Sequence, residues 1–327
     1  MKSILLKLFI LFFVLATPVE YVFGQEKRSW EIDSPIFENG TIGAFDEISV
    51  KDPTIVFFEN AWHLFYTARG NNEYTTAYVS AKYLDGLNSA SRFELKQIRG
   101  KTRYGCAPQV FFFEPQKKWY LIFQNKDANY QPAFSTNTNI SLPNSWTNPQ
   151  KLLQKDSSEK WIDFWVIADK TKVYLFYTEA HNGVVIRSTN LRDFPNGWSE
   201  GKKVFDNVHE AVHVYKAINT NEFHMIYELN KQGIRSFGLA VSNNLEGSWK
   251  KVTDNYATGN QLQYFDDTKR WTEMISHGEA IRTGYNQNME YDPENCRWII
   301  QGILKKELNL EYPSLPWKLG IIQQNRF

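Results

Sequence analysis

Length, composition and charge limit what kind of protein this chain can be. It has 327 residues, of which 42% are hydrophobic, and no linker rich in Pro, Gly or Ser divides it, so one large domain is predicted. Its 37 Lys and Arg residues and 36 Asp and Glu residues give a net charge of +1. A nucleic acid or an anionic membrane as partner would require a basic excess, and we therefore expect neither.

The N-terminal segment predicts a secreted protein. Lys2 precedes the apolar run 4–16, which has the length of a signal-peptide core and is too short to span a membrane. Cleavage is predicted after Gly24, with Ala16 as a competing position and an uncleaved membrane anchor as the alternative. Residues 25–327 would then form an extracellular domain, which we expect to be a monomer without a membrane partner.

The two cysteines, Cys106 and Cys296, do not have the spacing of a metal or redox motif. An oxidising compartment would allow one disulfide between them. That bond requires Cα atoms within about 7 Å of each other, a distance that the sequence leaves open. The interpretation we favour is two buried free thiols.

A repeat of about 54 residues predicts the fold. Four apolar segments end in an aromatic residue: 63–66, 120–123, 174–177 and 224–227. A second segment opens each time with a serine, at Ser80, Ser135, Ser188 and Ser242, so the intervals are 55, 53 and 54 residues. A unit of roughly 50 residues that holds four short strands is typical of a β-propeller blade.

We therefore predict an all-β protein, a five-bladed β-propeller. Four copies of the repeat and a longer, divergent fifth copy from Trp271 onward fill the chain. A six-bladed propeller would result if the N-terminal stretch formed a blade of its own. A β-sandwich is the weaker alternative, because its strands would be spaced less regularly.

Aligning the innermost strand of each predicted blade brings acidic residues to one position. The aligned residues are Asp52, Ala107, Asp163, Glu210 and His277. The starts of the inner strands converge at one end of a propeller's central channel, so three carboxylates and one imidazole would meet there. Each residue alone has a structural explanation, such as a turn at Asp52. Their shared position instead indicates a functional site.

The composition of this predicted site indicates acid–base hydrolysis. The sequence has no Gly-rich phosphate loop and no nucleophile elbow. Glycoside hydrolysis needs one protonated and one ionised carboxyl, and a third carboxylate nearby would keep the acid protonated. A separation that admits water between acid and base would give inversion. His277 has no second His or Cys at zinc-ligand spacing, so a hydrated calcium ion is the metal predicted for the channel.

Seven motifs follow one another along the mature chain: KDPT at 51–54, APQV at 107–110, WIDFWV at 161–166, FPNG at 194–197, EA with VYK at 210–216, SHGE at 276–279 and SLPWKL at 314–319. Together they resemble glycoside hydrolase family 62. The resemblance implies a five-bladed propeller similar to that of family 43, and an inverting α-L-arabinofuranosidase that removes arabinose side chains from arabinoxylan. It further implies that Asp52 is the general base, Glu210 the general acid, and Asp163 the residue that tunes Glu210 and orients the sugar. His277 resembles the family's histidine near a central calcium.

The same resemblance implies three substrate contacts. Lys51 resembles the lysine that reaches the arabinose, Tyr312 resembles the tyrosine of the xylan-backbone groove, and Gln301 is a further candidate for the pocket. The structural alternatives are an ion pair between Lys51 and Asp52 and core packing of Tyr312. The chain departs from many relatives at Asn125, where they have a Trp that stacks on the xylan backbone, and this puts backbone affinity in question.

Two other functions stay open on the sequence alone. A related propeller glycosidase, an arabinanase or a β-xylosidase, would use the same carboxylates on arabinan or on xylosides. A propeller that binds carbohydrate without catalysis would keep the architecture, although the presence of all three acidic residues argues against it. In each case the predicted partner is a polysaccharide.

Overall fold

The computed structural model describes residues 29–70, 73–99, 104–126, 131–154 and 159–324. The predicted signal peptide lies outside these described residues. The helical elements described are short 3₁₀ segments at Leu84–Ser89, Lys96–Arg99, Glu114–Gln116, Pro143–Ser145, Gly259–Gln261, Asp267–Lys269, Lys305–Asn309 and Tyr312–Ser314. Within these ranges no helix is long and apolar enough to cross a bilayer.

Strands make up most of the described chain and form five sheets. The strands are β1 (Trp30–Ile32), β2 (Ser49–Phe58), β3 (Ala61–Gly70), β4 (Glu73–Ala81), β5 (Arg92–Glu94), β6 (Cys106–Phe113), β7 (Lys118–Gln124), β8 (Ala133–Asn137), β9 (Gln150–Lys151), β10 (Trp161–Ala168), β11 (Lys172–Glu179), β12 (Gly183–Asn190), β13 (Lys202–Asp206), β14 (Glu210–Ala217), β15 (Phe223–Lys231), β16 (Ile234–Ser242), β17 (Lys250–Thr258), β18 (Leu262–Tyr264), β19 (Met274–Ala280), β20 (Glu290–Tyr291), β21 (Arg297–Ile303) and β22 (Lys318–Gln324).

The five sheets are the blades of a propeller, which confirms the predicted fold. Blades one to three are four-stranded sheets of consecutive strands, β2 to β5, β6 to β9 and β10 to β13. Blade four runs from β14 to β17 and adds β20 beside β14. The inner strands β2, β6, β10, β14 and β19 pack against their neighbours in a closed ring. Since sheets cover both faces of each blade, the first two strands of a blade are almost wholly buried and carry long apolar runs.

The fifth blade combines both ends of the described chain. Its strand order is β18-β1-β22-β21-β19. Strand β1 pairs antiparallel with β22, with Trp30 opposite Gln324 and Ile32 opposite Ile322. The fifth copy therefore does start near Trp271, but an N-terminal strand completes it, and a sixth blade is not formed by the described residues. This closure ties the last blade to the start of the domain.

The two cysteines are buried free thiols, as we expected. Cys106 begins β6 at the end of the channel that carries the predicted site, whereas Cys296 lies just before β21.

Deep in the channel, Arg282 Nε lies 2.7 Å from Glu279 Oε1, and both side chains are buried. The Arg282 Nη2 group also donates to the backbone oxygens of Ile55 and Val110, at 3.3 and 2.9 Å. One guanidinium thus joins the inner strands of blades five, one and two across the axis.

Candidate active site

Each innermost strand carries a β-bulge at the same point. The pairing with the second strand shifts directly after Lys51, Cys106, Ile162, Glu210 and Ser276. The residues that follow these five are Asp52, Ala107, Asp163, Ala211 and His277. The first four of these have positive φ angles of 48°, 47°, 56° and 51°. A bulge bends its strand and redirects a side chain, and here it turns the start of each inner strand toward the axis.

The predicted alignment of Glu210 is wrong by one residue. Ala211 lies at the bulge position that Asp52 and Asp163 share, and Glu210 occupies the preceding position, which Lys51 holds in the first blade. Choosing the acidic residue of the pair misplaced the register, because the sequence carries no direct sign of a bulge. Glu210 still belongs to the same site, since the next backbone amide, that of Ala211, donates to Asp163 Oδ2 at 2.8 Å.

Four of the five bulge residues donate their backbone amide to a side chain of the preceding blade. The acceptors, each at 2.8 Å, are Gln301 Oε1 for Asp52, Thr67 Oγ1 for Ala107, Asp163 Oδ2 for Ala211 and Glu228 Oε2 for His277. A buried amide without a partner costs about 1–3 kcal/mol. These bonds therefore stabilise the bulges, and they make the position of each one depend on the blade beside it.

Gln301 holds the backbone of Asp52 in this arrangement. Its Oε1 accepts from the Asp52 amide, and its Nε2 donates to Ser276 Oγ at 3.2 Å. The side chain is buried, at 2% exposure. Because both ends of the amide are used within the protein, the structure favours a role in positioning Asp52 over the predicted contact with substrate.

Asp52, Asp163 and His277 converge at one end of the channel. Nδ1 of His277 lies 3.5 Å from Asp52 Oδ1 and 3.9 Å from Asp163 Oδ2. All three residues are at most 7% exposed. Two carboxylates from blades one and three thus flank one imidazole from blade five, and the three bulges place them there.

Burial raises the pKa of Asp163 to about 6, because the ionised form loses its hydration. The His277 imidazole opposes this shift, while the carboxylates of Glu210 and Asp52 add to it. Asp163 also accepts two hydrogen bonds, from Gln124 Nε2 at 2.7 Å and from the amide of Ala211. Asp163 is therefore a fixed carboxyl whose charge changes within the mildly acidic pH range.

Arg235 on β16 joins two acidic residues of blade four. Its Nη1 donates to Glu210 Oε1 and also to Glu228 Oε1. Glu228 lies on β15 opposite Glu210 and is fully buried. The other oxygen of Glu228 accepts from Ser276 Oγ at 2.5 Å and from the His277 amide at 2.8 Å. The Arg235 and Glu228 pair therefore connects Glu210 to the bulge that carries His277.

The pKa of Glu210 is lowered and the pKa of Glu228 is raised, although Arg235 bonds both carboxylates. Burial would raise the pKa of Glu210, but the charge and hydrogen bond of Arg235, helped by His209 and His277, lower it to about 2. For Glu228, burial outweighs Arg235 and raises the pKa to about 7. The expectation that neighbouring carboxylates keep Glu210 protonated therefore does not hold in this arrangement, because the charge of Arg235 outweighs them.

Sequence reasoning missed Glu228 and Arg235. A signal for Glu228 was present: each second strand ends its apolar run with a polar residue, in the segments 64–67, 121–124, 175–178, 225–228 and 298–301. These last residues, Thr67, Gln124, Thr178, Glu228 and Gln301, all pair with the residue just before a bulge. Arg235 lies on a third strand, and the sequence offers no comparable signal for it.

Lys51 and Tyr312 lie together at the rim of this site. Lys51 Nζ donates to Tyr312 OH at 3.1 Å and lies 3.7 Å from Asp52 Oδ2, so the ion pair with Asp52 is present. The ammonium group also lies 5.0 Å from the centre of the Tyr312 ring and 5.2 Å from that of Tyr74. Tyr312 is 47% exposed, which excludes core packing as its main role. A charged group and an exposed aromatic ring are therefore available beside Asp52.

Asn125 lies beyond the end of β7 and is 5% exposed. Its backbone amide donates to Gln131 Oε1 at 2.7 Å. A short, buried side chain presents little surface to a sugar ring, so Asn125 does not substitute for the Trp expected at this position.

The residues near His277 fit calcium only as a hydrated ion. Calcium is usually bound by six to eight oxygen ligands. His277 offers one imidazole, and the carboxylates of Asp52 and Asp163 lie 3.5 and 3.9 Å from its Nδ1. His277 belongs to no group of three or more close His, Cys, Asp or Glu ligand atoms in the described part of the chain. Water would therefore have to supply most of the ligands.

Residues 43–323 match the model of glycosyl hydrolase family 62. The chain is 32% identical over 289 residues to α-L-arabinofuranosidase C of Cellvibrio japonicus. That match covers 84% of this chain and 44% of the relative, so the chain spans less than half of the curated protein that it matches.

Solved structures agree with this assignment. The catalytic domain of a family 62 α-L-arabinofuranosidase from Coprinopsis cinerea has a TM-score of 0.84 and 31% identity, covering 91% of this chain and 97% of that one. A Podospora anserina α-L-arabinofuranosidase in complex with cellotriose has a TM-score of 0.83 and 29% identity, with the same coverage. A family 62 hydrolase in complex with xylotriose has a TM-score of 0.83 and 28% identity, covering 90% and 97% of the two chains. The chain therefore belongs to glycosyl hydrolase family 62.

Proposed function

We propose that this protein is a secreted α-L-arabinofuranosidase that removes arabinofuranosyl side chains from arabinoxylan with inversion. The observation that carries the proposal is the meeting of Asp52, Asp163 and His277 at one end of the propeller, with Glu210 on the adjoining strand. Relatives with this fold and about 30% identity are α-L-arabinofuranosidases, and one solved relative binds xylotriose. Substrate and stereochemistry are inferred from family membership and from the type of residues in the site.

Asp52 is the proposed general base. In an inverting hydrolysis the base takes a proton from water while that water attacks the anomeric carbon. The Asp52 carboxylate is fixed from two sides, by the bond of its own backbone to Gln301 and by Lys51 Nζ at 3.7 Å. A base held in a fixed orientation toward the water lowers the activation barrier more than one that is merely nearby, because the water must attack from the side opposite the leaving group.

Glu210 is the proposed general acid, and Arg235 must release it before it can act. A carboxyl whose pKa is about 2 carries no proton at mildly acidic or neutral pH. When the Glu210 contact to Arg235 is broken, burial and the nearby Asp163 carboxylate both favour the protonated form. Arg235 would keep one hydrogen-bond acceptor in this step, because Glu228 still accepts from it. Asp163 thus tunes Glu210 only after the guanidinium has moved away.

Replacing Asp52 or Glu210 should remove most of the activity. Asp52→Asn takes away the proton acceptor, and Glu210→Gln takes away the proton donor. A general acid or base contributes about 10²–10⁴-fold to a rate, and we expect kcat to fall by that factor. Release of arabinose from wheat arabinoxylan measures it. Glu200→Gln is the matched control, because Glu200 is a fully exposed carboxylate of blade three, and its kcat should stay unchanged.

The stereochemistry and the substrate preference are read in the same assay. Proton NMR should show β-arabinofuranose as the first product from an α-arabinofuranoside, before it equilibrates. Faster turnover of a synthetic β-xyloside than of the arabinofuranoside would favour a xylosidase instead. Initial release of the α-anomer, or full activity of either variant, would refute the mechanism. Binding of arabinoxylan without turnover by the wild-type protein would indicate a binding module.

Replacing Arg235 should destabilise the fold more at neutral than at acidic pH. Arg235→Ala leaves the buried Glu228 without its counter-ion, and breaking such a pair costs roughly 3–5 kcal/mol. Burial already raises the pKa of Glu228, and losing Arg235 raises it further. A raised carboxyl pKa lowers stability above the unfolded-state pKa and not below it, so the loss should shrink as the pH falls from about 7 to about 4. Urea denaturation at both pH values measures the free energy of unfolding.

The matched control for Arg235 is the double variant with Glu228→Gln. Without a buried charge to compensate, the double variant should lose less stability at neutral pH than the sum of the two single variants. Equal losses at both pH values for Arg235→Ala would contradict the ion-pair explanation and leave only lost packing.

We further propose that His277 would hold a hydrated calcium ion, with Asp52 and Asp163 facing its water ligands. When bound, such an ion would supply positive charge beside two buried carboxylates. Calcium at about 100 times its Kd should stabilise the chelator-treated protein by about 2.7 kcal/mol. Thermal denaturation with and without calcium measures this, and His277→Ala should abolish the shift. A calcium shift of the same size in His277→Ala would place the ion elsewhere.

Secretion is supported by the N-terminal sequence. If the proposed cleavage is correct, protein recovered from the growth medium begins at Gln25, and N-terminal sequencing measures this directly. A mature N-terminus at Thr17 would favour the competing position after Ala16. Intact protein that stays with the membrane fraction would support the uncleaved anchor.

A further inference from the structure

We propose that His181, His209 and Glu210 form a binding site for a transition-metal ion of the zinc class. Nδ1 of His181 and Nε2 of His209 each lie 3.7 Å from Oε2 of Glu210. One ligand atom from each of the three residues lies within 4.8 Å of the other two. This cluster is separate from the hydrated calcium proposed at His277, and it differs from it in ligand type.

The spacing suits a tetrahedral ion. Zinc binds imidazole nitrogen and carboxylate oxygen at about 2.0–2.2 Å, so two ligands at the tetrahedral angle are about 3.4 Å apart. The two observed separations of 3.7 Å need only a few tenths of an ångström of closure. Two histidines and a glutamate, with water as the fourth ligand, are a known zinc set. Two imidazoles also favour zinc, copper or nickel over calcium, which prefers oxygen.

Two neighbouring blades build the cluster. His181 lies in the tight turn between β11 and β12 of blade three, where Ala180 and His181 have φ angles of 52° and 53°. His209 directly precedes β14 of blade four, and its backbone amide donates to the backbone oxygen of Glu228 at 2.9 Å. The two imidazole rings stack with centroids 4.7 Å apart and an interplanar angle of 26°. The His181 side chain is 49% exposed, so an ion can enter from solvent.

Nε2 of His209 already accepts a hydrogen bond, which a metal ion would replace. Nδ2 of Asn230 lies 3.4 Å from His209 Nε2 and donates to it, which places the ring proton on Nδ1. With that proton on Nδ1, Nε2 carries the lone pair that a metal ion would bind once the contact with Asn230 is given up. Metal ligation requires a neutral imidazole.

His181 has a competing contact. Its Nδ1 lies 3.0 Å from the His209 backbone oxygen, to which it donates when that nitrogen is protonated. Ligation would move the ring proton to Nε2 and give up this hydrogen bond. Since the side chain is half-exposed, a small rotation of the ring removes the contact without moving the backbone. The cost is one partly solvated hydrogen bond, about 0.5–1.5 kcal/mol.

Glu210 can bind the metal ion without losing its hydrogen bond from Arg235. The guanidinium binds Oε1, whereas both imidazole nitrogens face Oε2. An ion at Oε2 would occupy the carboxyl that the proposed function makes the general acid. The consequence, which rests on that function, is that zinc inhibits hydrolysis by preventing protonation of Glu210.

The experiment measures zinc binding separately from activity. Isothermal titration of zinc chloride into chelator-treated protein at pH 7 should show one site, and His181→Ala should weaken it at least about tenfold, since even indirect partners of a ligand are worth that much. His224→Gln is the control: this histidine, whose side chain is 12% exposed, lies 3.5 Å from Glu222 but in no described group of three ligands, and its variant should bind zinc like the wild type. Thermal denaturation verifies that both variants fold.

Equal zinc affinity in the wild type and in His181→Ala would overturn the site. Activity is the second readout: zinc should inhibit release of arabinose by the wild type, and about tenfold more zinc should be needed for His181→Ala. Zinc bound through His181 without inhibition would overturn the proposed block of Glu210. Zinc binding that depends on His181 in a protein without hydrolase activity would support the metal site while refuting the proposed function.

Discussion

The site depends on one structural device, a bulge whose backbone amide is held by the preceding blade. A non-glycine residue with positive φ costs about 1–3 kcal/mol, and it persists only where its surroundings determine it. Asp52 and Asp163 both have such a positive φ, and Gln301 of blade five accepts a hydrogen bond from the Asp52 amide. The same pattern recurs at Ala107 and His277. Because every such acceptor belongs to another blade, the positions of the polar side chains follow from how the blades dock.

Burial and ion pairing compete within this frame, and exposure decides which effect dominates. Arg235 donates from one nitrogen to both Glu210 and Glu228. The Glu228 side chain has no exposure, and the loss of hydration there exceeds what the guanidinium restores. The Glu210 side chain keeps 15% exposure, so the same guanidinium lowers its pKa. The same guanidinium thus keeps the partly hydrated Glu210 ionised, whereas it does not fully offset the cost of a charge on the buried Glu228.

The sequence predicts much of the fold because the repeat interval recurs along the chain. The same interval places Asp52, Asp163 and His277 at one register, and the structure confirms that they meet. It misplaces Glu210 because the acidic residue was aligned in place of Ala211, which occupies the bulge position. Strand β1 was missed as part of the last blade because three residues are too few to show a period. Arg235 was missed for a different reason, since only the docking of β16 beside β15 brings it to the carboxylates.

The channel beneath the site limits how a polysaccharide can approach it. Arg282 and Glu279 form a buried ion pair among the inner strands, and removing one member of such a pair would leave the other charge uncompensated. The backbone oxygens of Ile55 and Val110 accept hydrogen bonds from the guanidinium, so Arg282 links the inner strands of blades one and two. The exposed Tyr312 ring beside Lys51 lies on the open side of the site, so a sugar would reach Asp52 from there.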